Sequence, residues 1–225
     1  MEVCTLAPLL TRLTSDAPMA YLHVIDIDEV LLTHMDEFAT DAGADVLLDQ
    51  FDNDYERLAR VQAIIYEVSA KRRRMVPCEP DLVAFLCSRI DAAPESVVFL
   101  TSRDPCTKAA TALQLAVLLG QDRSDAVRVV HCLCDKGREL GTLLASFDHS
   151  MYRGIVFIDD KVRNVDNVAR ELRREKHARA FPLGRFCMRY GKEDDRQRSI
   201  RSRAPEVAST FWELARRPSG SWRPE

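Results

Sequence analysis

Within the stretch HVIDIDEVLLTH, residues 23–34, the aspartates Asp26 and Asp28 stand one residue apart at the end of an apolar run. Carboxylates so close repel one another, and burying them is costly unless a cation neutralises them. Three further apolar runs also finish in polar residues. SVVFLTS ends in Thr101 and Ser102, AVRVVHCL leads into Asp135, Lys136 and Gly137, and GIVFIDD ends in Asp159 and Asp160. Gathered at one edge of a sheet, they bring up to four carboxylates, a hydroxyl and an ammonium together. That set suits a hard divalent ion such as Mg²⁺ and a phosphoryl group. With the phosphate charge screened by metal and ammonium, one carboxylate can attack phosphorus and form an aspartyl phosphate. A second carboxyl, two residues on and on the same side of an extended segment, can protonate the leaving oxygen and then activate water.

The elements that would position these groups are legible from periodicity. YLHVIDID, SVVFLTS, AVRVVHCL and GIVFIDD read as buried strands, and ARAFPL as a weaker fifth. After TSRDP, the residues Ala109, Ala112, Leu113 and Ala116 follow a helical repeat, with Pro105 placed for a first turn and Gly120 for a stop. Val165, Val168, Ala169 and Leu172 repeat the pattern after DDKVRN. Strands alternating with amphipathic helices predict an α/β, Rossmann-like parallel sheet, whose ligands bind at the carboxyl ends of the strands. Residues 35–75 interrupt the alternation with a helix carrying Phe51, Tyr55, Leu58, Ile65 and Val68 on one face, and end in Lys71–Arg74. Those four cations read either as a helix end, where they suit the dipole, or as a capture site for an anionic substrate.

Composition fits a globular protein, with 46% apolar and 30% charged residues. The formal charge of −3 hides an asymmetry: residues 170–225 hold 15 Lys and Arg against 8 Asp and Glu. Such a tail reads as a solvated surface, or as a contact for a polyanion. Seven cysteines, scattered and odd in number, predict reduced thiols rather than a disulfide framework. His131, Cys132 and Cys134 lack a second ligand pair with zinc spacing and read as core residues. No membrane span or cleavable leader is expected, which points to the cytoplasm. His23 reads as a core or face residue, and Arg103 as a substrate-steering cation or a surface ion pair with Asp104. VASTFWELA, with Trp212, reads as a short amphipathic helix docked on the core, followed by a mobile end containing Trp222.

These residues also carry a family resemblance. VIDIDEV resembles the first motif of the haloacid dehalogenase (HAD) superfamily, and VVFLTS its second. Lys136 is placed like the lysine of the third, and GIVFIDDKVRN resembles the fourth. FLTSRDPCTKAATALQLAVLLG with FIDDKVRNVDNV is further similar to a HAD-like group of unknown function found mainly in intracellular bacteria. The resemblance implies Asp26 as nucleophile and metal ligand, and Asp28 as general acid and base whose backbone carbonyl also binds Mg²⁺. It implies that Thr101 and Ser102 hold phosphoryl oxygens and that Lys136 binds phosphate and holds Asp26, with Lys108 or Lys161 as alternatives to Lys136. Asp160 becomes the direct metal ligand and Asp159 its outer neighbour, with Asn164 in place of a further aspartate.

The resulting expectation is a HAD core over residues 1–34 and 76–190, a small helical cap of C1 type over 35–75, and a basic extension over 191–225. The expected activity is a Mg²⁺-dependent phosphatase acting on a phosphorylated small molecule or phosphoprotein. The alternatives are a phosphomutase using the same residues and a catalytically inactive interaction protein. Dehalogenation is disfavoured because it needs neither a metal nor Asp28. Nucleic acid is not an expected partner, and pairing of two copies could run through the cap.

Overall fold

Why the apolar runs become strands is clear from their surroundings in the computed structural model, which describes residues 10–11, 13, 20–35, 37–133, 135–146, 151–174, 180–181, 184–189 and 197–216. The strands are β1 (Tyr21–Ile25), β2 (Leu32–His34), β3 (Met75–Pro77), β4 (Val97–Thr101), β5 (Arg128–His131), β6 (Gly154–Asp159) and β7 (Gly184–Arg189). The helices are α1 (Asp41–Gln50), α2 (Tyr55–Lys71), α3 (Pro80–Ala92), α4 (Lys108–Leu119), α5 (Gln121–Ala126), α6 (Lys136–Ala145), α7 (Val162–Leu172) and α8 (Gln197–Ala215). Every residue of β1, β4 and β6 is buried. A strand covered on both faces has no polar side to show, so its sequence is a continuous apolar run.

Five strands form a parallel sheet in the order β5-β4-β1-β6-β7, a Rossmann-like α/β architecture. Alternate residues of the central strands, Leu22, Val24, Val98, Leu100, Ile155 and Phe157, join Leu140, Leu143 and Leu144 of α6 and Val165, Val168 and Leu172 of α7 in one apolar cluster. Each large side chain so buried contributes about 1.5–3 kcal/mol. On the other face His23 meets Phe85 of α3 edge-on, with ring centroids 5.3 Å apart. Register fixes the functional edge. Ile25 pairs with Ile158 and with Phe99, so the residues that follow these strands emerge side by side.

The fifth strand is not ARAFPL. It is the next segment, GRFCMR, at the edge of the sheet. Within ARAFPL, Phe181 is buried in the cluster that also holds Ile155 and Phe157 of β6, and residues 178, 179, 182 and 183 lie outside the described residues. The expected repeat on α7 is buried as read.

A second compact unit comprises residues 33–76, 103–121 and the C-terminal segment that contains α8. The ribbon β2–β3 brackets residues 35–74, tied by Met35 N to Arg74 O at 2.8 Å. The single helix expected over this region is two helices. Asp52 and Asn53 take left-handed backbone angles, and Asp54 then caps α2 by accepting from the amides of Glu56 and Arg57. Phe51 lies in the break rather than on the helix, and Tyr55 at the new start is 70% exposed, not part of the apolar face.

Phe51, Leu58, Val61 and Ile65 instead form a cluster with Ala110 of α4 and with Ala204 and Ala208 of α8. The C-terminal helix therefore packs on α1 and α2 and runs 19 residues. The inward face of α4 is also rotated from the one expected. Ala110, Thr111, Gln114, Leu115 and Leu119 are buried, because Thr111 and Gln114 point in to meet a buried guanidinium. Trp222 and the last residues, Cys4 and Cys134 lie outside the described residues.

Candidate active site at the carboxyl ends of the central strands

Asp26 follows β1, and its amide donates to Ile158 O of β6 at 2.9 Å. This bond carries the sheet pairing one residue past the strand and sets Asp26 beside Asp159, the last residue of β6. The chain then turns at once. Ile27 N donates to Asp26 Oδ1 at 2.8 Å, and the amides of Leu31 and Leu32 both donate to Ile27 O. Glu29 takes a left-handed φ of 58° within this turn. The segment carrying Asp28 is therefore a tight turn rather than the extended stretch expected. Asp28 is half-buried, and its charge still reaches Asp26.

Lys136 is delivered by the start of α6. Asp135 caps that helix, accepting from Gly137 N at 2.8 Å and Arg138 N at 3.2 Å. The Lys136 side chain is fully buried, with Nζ 2.8 Å from Asp26 Oδ1 and 2.7 Å from Asp159 Oδ2. Lys136 rather than Lys108 or Lys161 thus meets the aspartates. Lys108 is exposed at the start of α4, and Lys161 contributes its backbone amide, to Asp159 Oδ1 at 2.9 Å. Asn164, in the first turn of α7, donates to both oxygens of Asp159.

Electrostatics follow from the geometry. Burial pushes Asp26 up to about 7 against the pull of Lys136, and the charges of Asp159 and Asp28 add to the rise. Burial works to lower Lys136, but Asp26 and Asp159 outweigh it and the ammonium is held above its ordinary range. Beyond burial, both shifts have one cause: a single ammonium does not balance the carboxylates around it.

Among the described residues Asp26, Asp159 and Asp160 have ligand oxygens within 4.8 Å of one another. Three carboxylates in excess of one ammonium are a donor set that fits a hard divalent cation. The Asp28 side chain is not part of that trio. Thr101, at the end of β4, is fully buried beside β1, with its carbonyl accepting from Cys132 N, whereas Ser102 is exposed. Arg189, at the end of β7, donates to Asp160 O at 3.1 Å. An expectation of ARAFPL as the fifth strand leaves Arg189 unmarked; the alternation in GRFCMR is the signal that points to it. No disulfide joins the described cysteines.

Other polar residues have structural settings. Arg103 is neither a surface ion pair nor open to solvent: it is buried, donates to Thr111 Oγ1 and Gln114 Oε1, and lies 4.2 Å over the Tyr66 ring. His34 stacks on the same Tyr66. Lys71 pairs with Glu67, and the exposed Arg72 caps the end of α2. No helix among the described residues is long and apolar enough to cross a membrane.

No family model, curated protein or solved structure matches the chain.

Proposed function

We propose that this chain is a HAD-type phosphohydrolase that forms an aspartyl phosphate on Asp26 and depends on Mg²⁺. The observation that carries the reading is Lys136, buried between Asp26 and Asp159 at the carboxyl ends of adjacent parallel strands. Burying a lysine together with several carboxylates costs stability, and groups so perturbed concentrate at functional sites. The order of motifs in the sequence supports the same assignment, as does a turn and ribbon directly after β1, followed by a helical segment in the place of a cap.

In this mechanism Asp26 attacks phosphorus. The bond from Asp26 oxygen to phosphorus forms as the bond to the leaving oxygen breaks, and Asp28 gives its proton to that oxygen. Asp28, now a carboxylate, takes a proton from water, which attacks phosphorus and releases phosphate and Asp26. Lys136 screens the phosphoryl charge and fixes Asp26, and the Thr101 hydroxyl donates to a phosphoryl oxygen. Asp26, Asp160 and the Asp28 carbonyl would hold Mg²⁺, with Asp159 orienting Lys136. Bound there, the cation would supply charge neutralisation for the phosphoryl group and favour the ionised form of Asp26. The test is hydrolysis of an aryl phosphate that needs Mg²⁺, stops in EDTA and is lost in Asp26→Asn. A folded, Mg²⁺-binding chain whose turnover survives Asp26→Asn would overturn the assignment.

A further inference from the structure

The helical unit contains a cleft of about 450 Å³ lined by Asp54, Glu56, Arg57, Arg60, Trp212 and Arg216. It shares no residue with the acidic site. Its volume suits a small organic molecule, and its charges do not cancel locally. Three arginines face two carboxylates: Asp54 keeps its charge while accepting from the amides of Glu56 and Arg57, and Glu56 pairs with Arg60. Arg57 and Arg216 remain, and neither has a carboxylate partner among the described residues.

Arg57 is also held in place. Its guanidinium lies 4.5 Å over the Trp212 ring and 5.6 Å from the centre of the Phe51 ring, and the two rings lean together with centroids 6.2 Å apart. A stacked guanidinium keeps its donors in a fixed fork, so less freedom is lost when it grips an oxyanion. The cation–π contact with Trp212 holds the guanidinium in place without using its N–H donors, which stay available to an oxyanion. A second unpaired arginine in the same cleft adds like charge that an anion would relieve.

We infer that this cleft binds a small phosphate monoester, whose dianion is gripped by Arg57 and Arg216 while its organic part occupies the rest of the space. The cleft carries its own reporter, because Trp212 and Trp222 are the only two tryptophans in the chain. In the full chain carrying Trp222→Phe, with EDTA present, Trp212 emission would be titrated with inorganic phosphate and with glucose 6-phosphate, using glucose as the neutral control. The expected result is a saturable change with both phosphates and none with glucose. Arg57→Gln and, separately, Arg216→Gln should each raise the dissociation constant about tenfold or more. Arg216 is exposed at the end of α8, so its substitution leaves the packing intact and remains informative if Arg57→Gln fails to fold. Asp26→Asn should leave the titration unchanged. The inference is overturned if emission shows no saturable change with either phosphate, or if saturation occurs with the same midpoint in both arginine variants.

Discussion

Asn164 Nδ2 donates to both carboxylate oxygens of Asp159, at 3.0 and 3.2 Å. Lys136 Nζ and the Lys161 amide reach the same carboxylate, so Asp159 is held by protein partners on both of its oxygens. Asn164→Ala removes one of those partners and should cost about 1–3 kcal/mol in denaturant unfolding. Asn164→Asp faces Asp159 with another buried carboxylate. It should lose more stability in EDTA, and regain a larger share on adding Mg²⁺ than the wild type does. Equal Mg²⁺ responses in the two proteins would contradict the charge excess assigned to this cluster.

Lys136→Met keeps most of the length of the side chain, one atom shorter, and removes its charge. Because Asp26 and Asp159 are buried, the variant leaves them without their cation, and stability in EDTA should fall by roughly 3–5 kcal/mol at pH 8. The loss should shrink at pH 5, where Asp26, already pushed up by burial, is protonated. A pH-independent loss would mean that packing, not charge, accounts for the lysine.

Gly137 of α6 lies against the backbone of α7. A Cβ there would stand 2.5 Å from the Asn167 carbonyl oxygen, a backbone atom that cannot swing aside. An ordinary Gly→Ala change inside a helix stabilises by about 0.5–1 kcal/mol. Gly137→Ala should do the reverse, destabilising by about 1–3 kcal/mol as α6 is pushed away, and should displace Lys136 with it. Thermal melting reads the sign directly, and a raised melting temperature would refute the close approach.

His23 sits in the middle of β1, with Nδ1 3.2 Å from Ser96 O and with Nε2 lacking a hydrogen-bond partner among the described residues. Burial lowers its pKa from 6.5 to about 4, opposed by the Ser96 carbonyl and helped by Arg89. A depressed histidine contributes stability that is present above pH 6.5 and is lost as pH falls through 4. The unfolded chain binds the proton that the fold excludes, at a total cost of roughly 3 kcal/mol. His23→Phe should weaken the fold at pH 7, where the bond to Ser96 is lost, yet narrow its deficit against the wild type between pH 6.5 and 4. A deficit constant across that range would place the acid sensitivity elsewhere.

The sheet was legible where burial is complete. β1, β4 and β6 are covered on both faces, so apart from His23 their interiors are apolar and their polar ends stand out. β7 is an edge strand with half-exposed positions, and its alternation is weaker than the neighbouring apolar run that holds Phe181. Lys136 could be named but not chosen over Lys108 or Lys161, because the choice depends on where α6 begins relative to β6, a tertiary matter. The helical unit was less readable. Arg103 turns Thr111 and Gln114 inward, so the buried face of α4 carries polar residues that an apolar repeat passes over. The break at Asp52 and Asn53 rests on left-handed backbone angles that Asp and Asn tolerate without requiring.

The most direct test of the central claim is to trap the phosphoryl group. The full chain would be mixed with p-nitrophenyl phosphate and Mg²⁺, quenched in acid within the first turnover, reduced with borohydride and mapped by mass spectrometry. The account predicts a borohydride-reducible acyl phosphate at Asp26, absent in Asp26→Asn and absent in EDTA. Turnover with no modification at Asp26, or with the adduct on another residue, would contradict it.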